Sequence, residues 1–155
     1  MKAQVIREWT TPPAFRLEEL PEPVAGPGEL LIRVHTVGVV FGETLVASGR
    51  YQVQPLLPYT PGMECSGIVE AVGPGVTGYE VGDHVACNGF IGESRRDRKV
   101  VGGLAEKIVV PTDNAVKAPK NIPLDQLALF RSNTETSYYG LQRGELKPGE
   151  TLLVL

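Results

Sequence analysis

Cysteine, histidine and positive charge are all scarce in this sequence. The 155 residues include only two cysteines and two histidines. Cys65 and Cys87 form no C-x-x-C pair, which excludes a disulfide framework and a zinc ribbon. We expect two reduced, partly buried thiols, because neither cysteine has a neighbouring histidine in the sequence that could activate it.

The formal net charge is −3 and the pI is about 5.4. Nucleic acids and anionic membranes both require a basic surface, so this charge argues against either as a partner. No apolar run approaches the length of a membrane span. The first nine residues include Lys2, Arg7 and Glu8, which is unlike a signal peptide. We therefore predict a cytoplasmic protein, and its length is that of one ordinary domain.

Glycine and proline, by contrast, are abundant, with 18 and 13 residues spread along the chain. Such spacing is typical of many short strands separated by turns. The clearest is residues 30–39, where Leu30, Ile32 and Val34 alternate with Arg33 and other polar residues. The pattern predicts strands at residues 2–6, 15–20, 30–39, 65–72, 81–87, 104–110 and 115–117.

Sequence patterns typical of helices are fewer, and most of them lie near the C-terminal end of the chain. Residues 43–48 fit a short helix, and residues 124–130 and 136–143 fit two more. Residues 151–155 form an all-apolar run, which suits a strand buried on both faces of a parallel sheet. That run predicts either a strand at the start of a second domain or a last strand of the β domain, and the pattern alone leaves both open.

Four blocks of residues occur in the order known from one superfamily. Residues 61–69, PGMECSGIV, resemble the P-G-x-E-x-x-G-x-V block of the medium-chain dehydrogenases/reductases. Residues 69–85 are similar to its V-x-x-V-G-x-x-V…G-D-x-V block. Residues 103–111 are similar to its G-x-x-A-E-Y-x-x-V-P strand. Residues 146–154 resemble the approach to its nucleotide-binding domain. Together the blocks span nearly the whole chain.

This resemblance implies a mainly β, α+β fold. Residues 1–122 are expected to form a partly open GroES-like β-barrel, the substrate-side domain. Residues 123–155 are expected to supply short linker helices and the first strand of a truncated Rossmann domain. In the family the glycine-rich loop that cradles the dinucleotide pyrophosphate comes next, so the main nucleotide-binding site is expected to be missing from these 155 residues.

The resemblance also implies a protein without zinc. In zinc-dependent relatives the metal ligands fall at the positions of Val40, Met63 and Ser132. Valine has no donor atom, and a thioether is a poor zinc ligand. The four cysteines of the relatives' structural zinc lobe are missing from residues 88–103. His35 and His84 lie on predicted strands, away from these positions.

Quinone reductase relatives have an N-F-A-D-like stretch where this chain has Val40-Phe41-Gly42-Glu43. By this likeness Val40 and Phe41 face the substrate and cofactor, and Val40 makes the cleft drier than the relatives' asparagine would. Glu43 is a candidate catalytic carboxylate; the alternative is an ordinary carboxylate at a helix start. Tyr51, which matches the family's G-x-Y, is the second catalytic candidate, since its ring can stack on a quinone and its hydroxyl can hydrogen-bond a developing oxyanion; the alternative is a half-buried aromatic on the barrel rim.

Met63, Glu64 and Thr136 complete the residues that the resemblance places beside substrate or cofactor. Glu64 is expected to hold its loop through backbone hydrogen bonds, and Thr136 to lie close to the nicotinamide. The basic cluster at residues 95–99 fits a solvated loop better than a site for the NADPH 2′-phosphate. The polar residues 130–135 have no explanation in the pattern.

The implied activity is NADPH-dependent hydride transfer to a quinone or another α,β-unsaturated carbonyl, with no zinc. The full-length protein would be a homodimer, and this chain alone would be inactive. An enoyl-thioester reductase fits the same residues. A stand-alone GroES-like binding or assembly module without catalysis is the alternative from another class. Zinc-dependent dehydrogenation remains a third, since metal ligands can be substituted.

Overall fold

The computed structural model describes residues 1–88 and 102–154 of the chain. This part contains seven strands and three α-helices in the following order. The elements are β1 (Lys2–Val5), β2 (Arg16–Glu19), β3 (Glu29–Gly38), α1 (Phe41–Ala47), β4 (Glu64–Val72), β5 (His84–Asn88), β6 (Lys107–Pro111), β7 (Ala115–Ala118), α2 (Leu124–Leu127) and α3 (Phe130–Arg143).

The strands form two antiparallel sheets. β1 and β2 make a two-stranded sheet, and the other five strands are ordered β6-β3-β4-β5-β7. Isolated bridges from Ala3 to Ala105 and from Ile6 to Tyr59 join β1 and the residue after it to segments beside the larger sheet. The sheets do not close on each other, which confirms the mainly β, partly open GroES-like barrel.

The alternation predicted for β3 is present in the structure. Leu30 and Ile32 have no exposed surface and lie in the main core, whereas Arg33 and His35 are exposed. Each fully buried aliphatic side chain of this kind contributes about 1.5–3 kcal/mol. β3 is an interior strand, because it pairs with both β4 and β6, and its inward face contributes to the core.

Several boundaries differ from the prediction, and three of the starts shift by three residues or more. β5 begins at His84 rather than 81, because Gly82 has a positive φ of 92° and turns the chain there. β6 begins at Lys107, since the residues before it bond to other segments, as Leu104 N–H does to the Pro61 carbonyl. α3 is longer than predicted and begins at Phe130. Its first turn is held to β4 by the hydrogen bond from the Ser132 N–H to Glu64, a contact that the spacing of apolar residues does not reveal.

One glycine-rich segment matches the sequence motif of a dinucleotide-binding loop but lacks the strand-to-helix context that such a loop requires. Residues 73–78, GPGVTG, fit the spacing G-x-G-x-x-G. A phosphate-binding loop of this kind leads from a strand into a helix, whose N-terminus holds the pyrophosphate. Here the segment joins the antiparallel strands β4 and β5, and no helix follows it. It is therefore a turn of the barrel and not a nucleotide site.

The apolar run at residues 151–154 does not form the predicted strand. It has no ladder partner among the described residues, and Leu153 and Val154 are 77% and 81% exposed. A strand requires a neighbouring backbone to satisfy its N–H and C=O groups. No described strand pairs with this run, so it is irregular in the part of the chain that the structure describes.

The two cysteines lie directly opposite each other on β4 and β5, and both are free. They are fully buried rather than partly buried as expected. The neighbouring Cys87 side chain and the burial raise the pKa of the Cys65 thiol. A thiol with a raised pKa remains protonated near neutrality and is a poor nucleophile.

An ion pair with one buried partner ties β7 to the turn before β5. Asp83 is 2% exposed, and its Oδ2 lies 2.7 Å from the Nζ of Lys117 and accepts the Glu80 N–H at 2.9 Å. Burial opposes ionisation of Asp83, but the Lys117 and Glu80 contacts outweigh it and lower its pKa. This carboxylate therefore stabilises the fold in its charged form.

The free energy of unfolding is expected to fall as the pH falls from about 5 to 2. Asp83 contributes fully above its unfolded pKa of about 3.9 and loses that contribution as the pH drops through its lower folded pKa. D83N should destabilise the protein at pH 7 by about 1–3 kcal/mol and flatten the acid dependence. Urea unfolding at each pH measures both effects.

E22Q is the matched control, because Glu22 also pairs with a lysine, Lys107, but is exposed. It should change stability little, as exposed ion pairs usually do. Equal losses in D83N and E22Q would contradict the importance of the buried partner.

Candidate functional site

The candidate site begins where β3 passes into α1. Val40 is the extended N-cap residue of the helix and is half-buried. Phe41, the first helical residue, is 77% exposed. Gly49, with a φ of 71°, turns the chain after the helix and brings Tyr51 back beside it. A Cβ built on Gly42 would lie 3.9 Å from the Tyr51 ring, so the ring lies along α1.

Glu43 points into the protein from the same helix and is 5% exposed. Its Oε2 accepts the backbone N–H of Met63 at 2.7 Å, and its Oε1 accepts the Tyr59 hydroxyl at 3.3 Å. The carboxylate thereby joins α1 to the residues that enter β4. Burial and the Glu43 carboxylate raise the pKa of the Tyr59 phenol, so it stays protonated and remains a donor.

Tyr59 is the site residue that the sequence did not reveal. It is almost completely buried, and its ring lies 6.3 Å from that of Trp9 at a tilt of 48°. Its sequence neighbours are prolines and a threonine, which indicate an extended segment but no buried hydrogen-bond partner. The partner, Glu43, is 16 positions away, and only the fold brings the two together.

The turn before Met63 depends on Gly62. Its φ is 108°, and a Cβ at this position would lie 2.5 Å from the backbone nitrogen of Gly103. Any side chain would collide with that backbone, and L-residues rarely adopt this φ. Gly62 thus allows the two segments to approach and sets the direction in which Met63 and Glu64 leave the turn.

Glu64 links β4 to α3. It is 1% exposed, and its Oε2 accepts the backbone N–H of Ser132 at 3.2 Å. Its Oε1 has no hydrogen-bond partner among the described residues. The partner is backbone, as expected for Glu64, but it belongs to α3 and not to the loop that Glu64 was expected to hold. Thr136 lies one turn further along α3 and is exposed.

The structure therefore connects most of the residues singled out by sequence. Tyr51 lies beside Gly42, Glu43 bonds to Met63, and Glu64 bonds to the turn of α3 that leads to Thr136. Three elements that are distant in sequence meet at this point: α1, the start of β4, and α3. Val40 and Phe41 lie at the near end of α1. The basic residues 95–99 lie outside the described residues.

Within residues 1–88 and 102–154, no three His, Cys, Asp or Glu side chains are grouped as metal ligands. Met63 supplies only a thioether and Val40 no donor, which fits zinc poorly. His35 is exposed, with its Nδ1 2.8 Å from the Thr36 hydroxyl, and His84 is half-buried on β5. None of the helices described is long and apolar enough to cross a membrane.

The sequence profile of the alcohol dehydrogenase GroES-like domain matches residues 26–120. The chain belongs to this family. It corresponds to the N-terminal GroES-like domain of quinone oxidoreductase-like medium-chain dehydrogenases/reductases, as the order of the four sequence blocks predicted.

Three relatives illustrate the likeness. A quinone oxidoreductase-like protein 2 homolog from Nematostella vectensis is 36% identical over 130 residues, which are 83% of this chain and 33% of that protein. The crystal structure of a probable oxidoreductase from Mycobacterium abscessus superposes with a TM-score of 0.83 at 28% identity, covering 97% of this chain and 45% of that one.

The quinone oxidoreductase from Thermus thermophilus, also solved in complex with NADPH, superposes with a TM-score of 0.76 at 31% identity. That match covers 97% of this chain and 43% of the Thermus chain. The chain thus spans less than half the length of these relatives.

Replacing Glu43 by alanine should destabilise the protein by about 1–3 kcal/mol, because the Met63 N–H and the Tyr59 hydroxyl would be left buried without an acceptor. E43Q should cost less, since its amide oxygen can accept from Met63 and its amide N–H can bond to the Tyr59 oxygen. Chemical denaturation of both variants tests this order.

The exposed Glu19 on β2 provides a control, and E19A should leave stability nearly unchanged. If E43A were no less stable than E19A, Glu43 would not be the link that the geometry indicates.

Proposed function

We propose that this chain is the substrate-side part of an oxidoreductase that transfers hydride from NADPH to a quinone or another α,β-unsaturated carbonyl. The observation that carries the proposal is the position of Tyr51 beside α1, the helix that begins at Phe41, with Glu43 tying that helix to the start of β4 and Glu64 tying β4 to α3. The names of the relatives, among them the NADPH complex of the Thermus enzyme, support the same reaction class.

A nucleotide-binding domain is proposed to cover α3. Residues 1–122 would form the substrate-side domain, and residues 123–155 would lead into a Rossmann domain. Phe130, Tyr138 and Tyr139 are 49–62% exposed on α3. Large aromatic side chains left this exposed on one helix are consistent with a covering partner. The greater length of the relatives leaves room for such a domain.

The reaction is proposed to proceed without zinc. By the sequence resemblance, Val40, Met63 and Ser132 correspond to the ligand positions of zinc-dependent relatives, and this donor set does not suit a tetrahedral zinc ion. Without a Lewis acid, charge on the acceptor oxygen must be stabilised by hydrogen bonds. Tyr51 is the group that we assign to this task, because its hydroxyl belongs to a half-buried ring beside α1.

NADPH, when bound, supplies the hydride. The chain's own residues position the acceptor and exclude water. Tyr51 would stack on a flat acceptor and donate its hydroxyl proton in a hydrogen bond to the oxygen that gains charge. Val40 and Phe41 would provide apolar surface, and Thr136 would contact the nicotinamide side. Glu43 and Glu64 would keep Met63 and α3 in place.

Enoyl-thioester reduction uses the same geometry and is distinguished only by the acceptor. A non-catalytic GroES-like module would bind no nicotinamide, and the exposed aromatic side chains of α3 weigh against it, since an isolated barrel would leave them in water. We further propose a cytoplasmic, homodimeric full-length enzyme.

The protein that includes the nucleotide-binding part should oxidise NADPH with 1,4-naphthoquinone or an enone, and Y51F should lower kcat by about 100-fold. KM should change less, because the stacking ring is kept. Steady-state kinetics measures both constants, and a parallel assay with a 2-enoyl thioester separates the two acceptor classes.

Y79F is the matched control, because the Tyr79 hydroxyl bonds to the Ala115 carbonyl away from α1. Its kcat should equal that of the unaltered protein. Absence of NADPH oxidation with every acceptor would overturn the proposed function, and one zinc ion per chain by elemental analysis would overturn its zinc-free form.

A further inference from the structure

A cavity of about 480 Å³ lies between the N-terminal segment and α1. Its size is within the range of small-molecule sites. Its apolar lining includes Pro12, Pro13, Phe15, Val39, Ala47 and Leu104. Tyr51, Met63 and Thr136 are not part of the lining, so this cavity is distinct from the surface assigned above to the acceptor.

Most polar groups in the lining are already bonded within the protein. The Thr44 hydroxyl donates to the Phe41 carbonyl at 2.7 Å, and the Ser48 hydroxyl donates to the Thr44 carbonyl at 2.8 Å. The Glu43 carboxylate accepts from Met63 and Tyr59. These groups offer little to a ligand, so the interior of the cavity is suited to an apolar body.

Arg50 is the exception. It lines the cavity and is exposed, and its Nε makes only a long bond of 3.4 Å to the Ser48 hydroxyl. Within the described part of the chain no carboxylate pairs with it. A guanidinium with free N–H groups at the edge of an apolar cavity can bind a carboxylate through two parallel hydrogen bonds.

We propose that this cavity binds a small aromatic or aliphatic carboxylate, with its apolar body among Pro13, Phe15 and Leu104 and its carboxylate on Arg50. The negative charge of the ligand must stay at the edge, because the buried Glu43 would repel a carboxylate placed deeper. This assignment is independent of the hydride-transfer function. Because Glu43 lines the cavity and also bonds to Met63, a bound ligand would contact the group that holds the start of β4.

The probe is 2-naphthoate, which is fluorescent, flat and singly charged. It should bind to the protein with a Kd of about 1 mM or tighter, from the affinity expected for a ligand of its size. R50Q should weaken binding at least about tenfold, since a charge-assisted hydrogen bond is lost. The neutral 2-naphthamide should bind the unaltered protein more weakly than 2-naphthoate does. R50Q should bind 2-naphthamide as well as the unaltered protein does.

T44W fills the cavity from α1 and should abolish binding of both compounds. R33Q removes an exposed arginine on β3 that does not line the cavity, and it should bind 2-naphthoate normally. Y139S tests the apolar face of α3 and should also bind normally. Circular dichroism of each variant checks whether the fold is retained.

Normal binding of 2-naphthoate to T44W would overturn the cavity as the site. Loss of binding in T44W together with unchanged binding in R50Q would overturn the carboxylate as the ligand class. No binding to the unaltered protein at millimolar concentration would overturn the proposal altogether. None of these outcomes depends on NADPH oxidation, so they are separate from the test of the proposed function.

Discussion

Two buried carboxylates hold the candidate site together. Glu43 and Glu64 each accept a backbone N–H from another element, Met63 in the first case and Ser132 in the second. Burying a carboxylate is costly unless it is hydrogen-bonded, so each contact strongly favours one arrangement of the chain. The start of β4 is thereby fixed between α1 and α3, and every other residue of the site takes its position from these elements.

The short helix α1 presents different chemistry on its two sides. Tyr51 lies beside Gly42, where the proposed acceptor would bind, while Thr44 and Ala47 line the cavity near Arg50. Glu43 lies between the two and bonds to the entry of β4. A helix of seven residues can serve both regions because residues three or four positions apart share a face and their neighbours do not.

The strands could be located from sequence because their signals are local. Alternation in β3 and glycine or proline at the turns depend on neighbouring residues, so the centres of all seven strands were predicted. The exact starts of β5 and β6 were not, since they depend on Gly82 adopting a positive φ and on Leu104 bonding to Pro61. The run at residues 151–154 failed as a strand because a strand is defined by its partner, which no local pattern contains.

The sequence by itself determined the family, the mainly β fold and the residue types available for chemistry, including the absence of suitable zinc ligands at Val40 and Met63. Only the tertiary structure decided that Glu43 faces Tyr59 and Met63, that Glu64 meets α3, and that a cavity opens beside Arg50. Hydrogen bonds and cavities arise from residues that are far apart in the chain. Their formation depends on how the elements pack, and packing is a property of the whole fold.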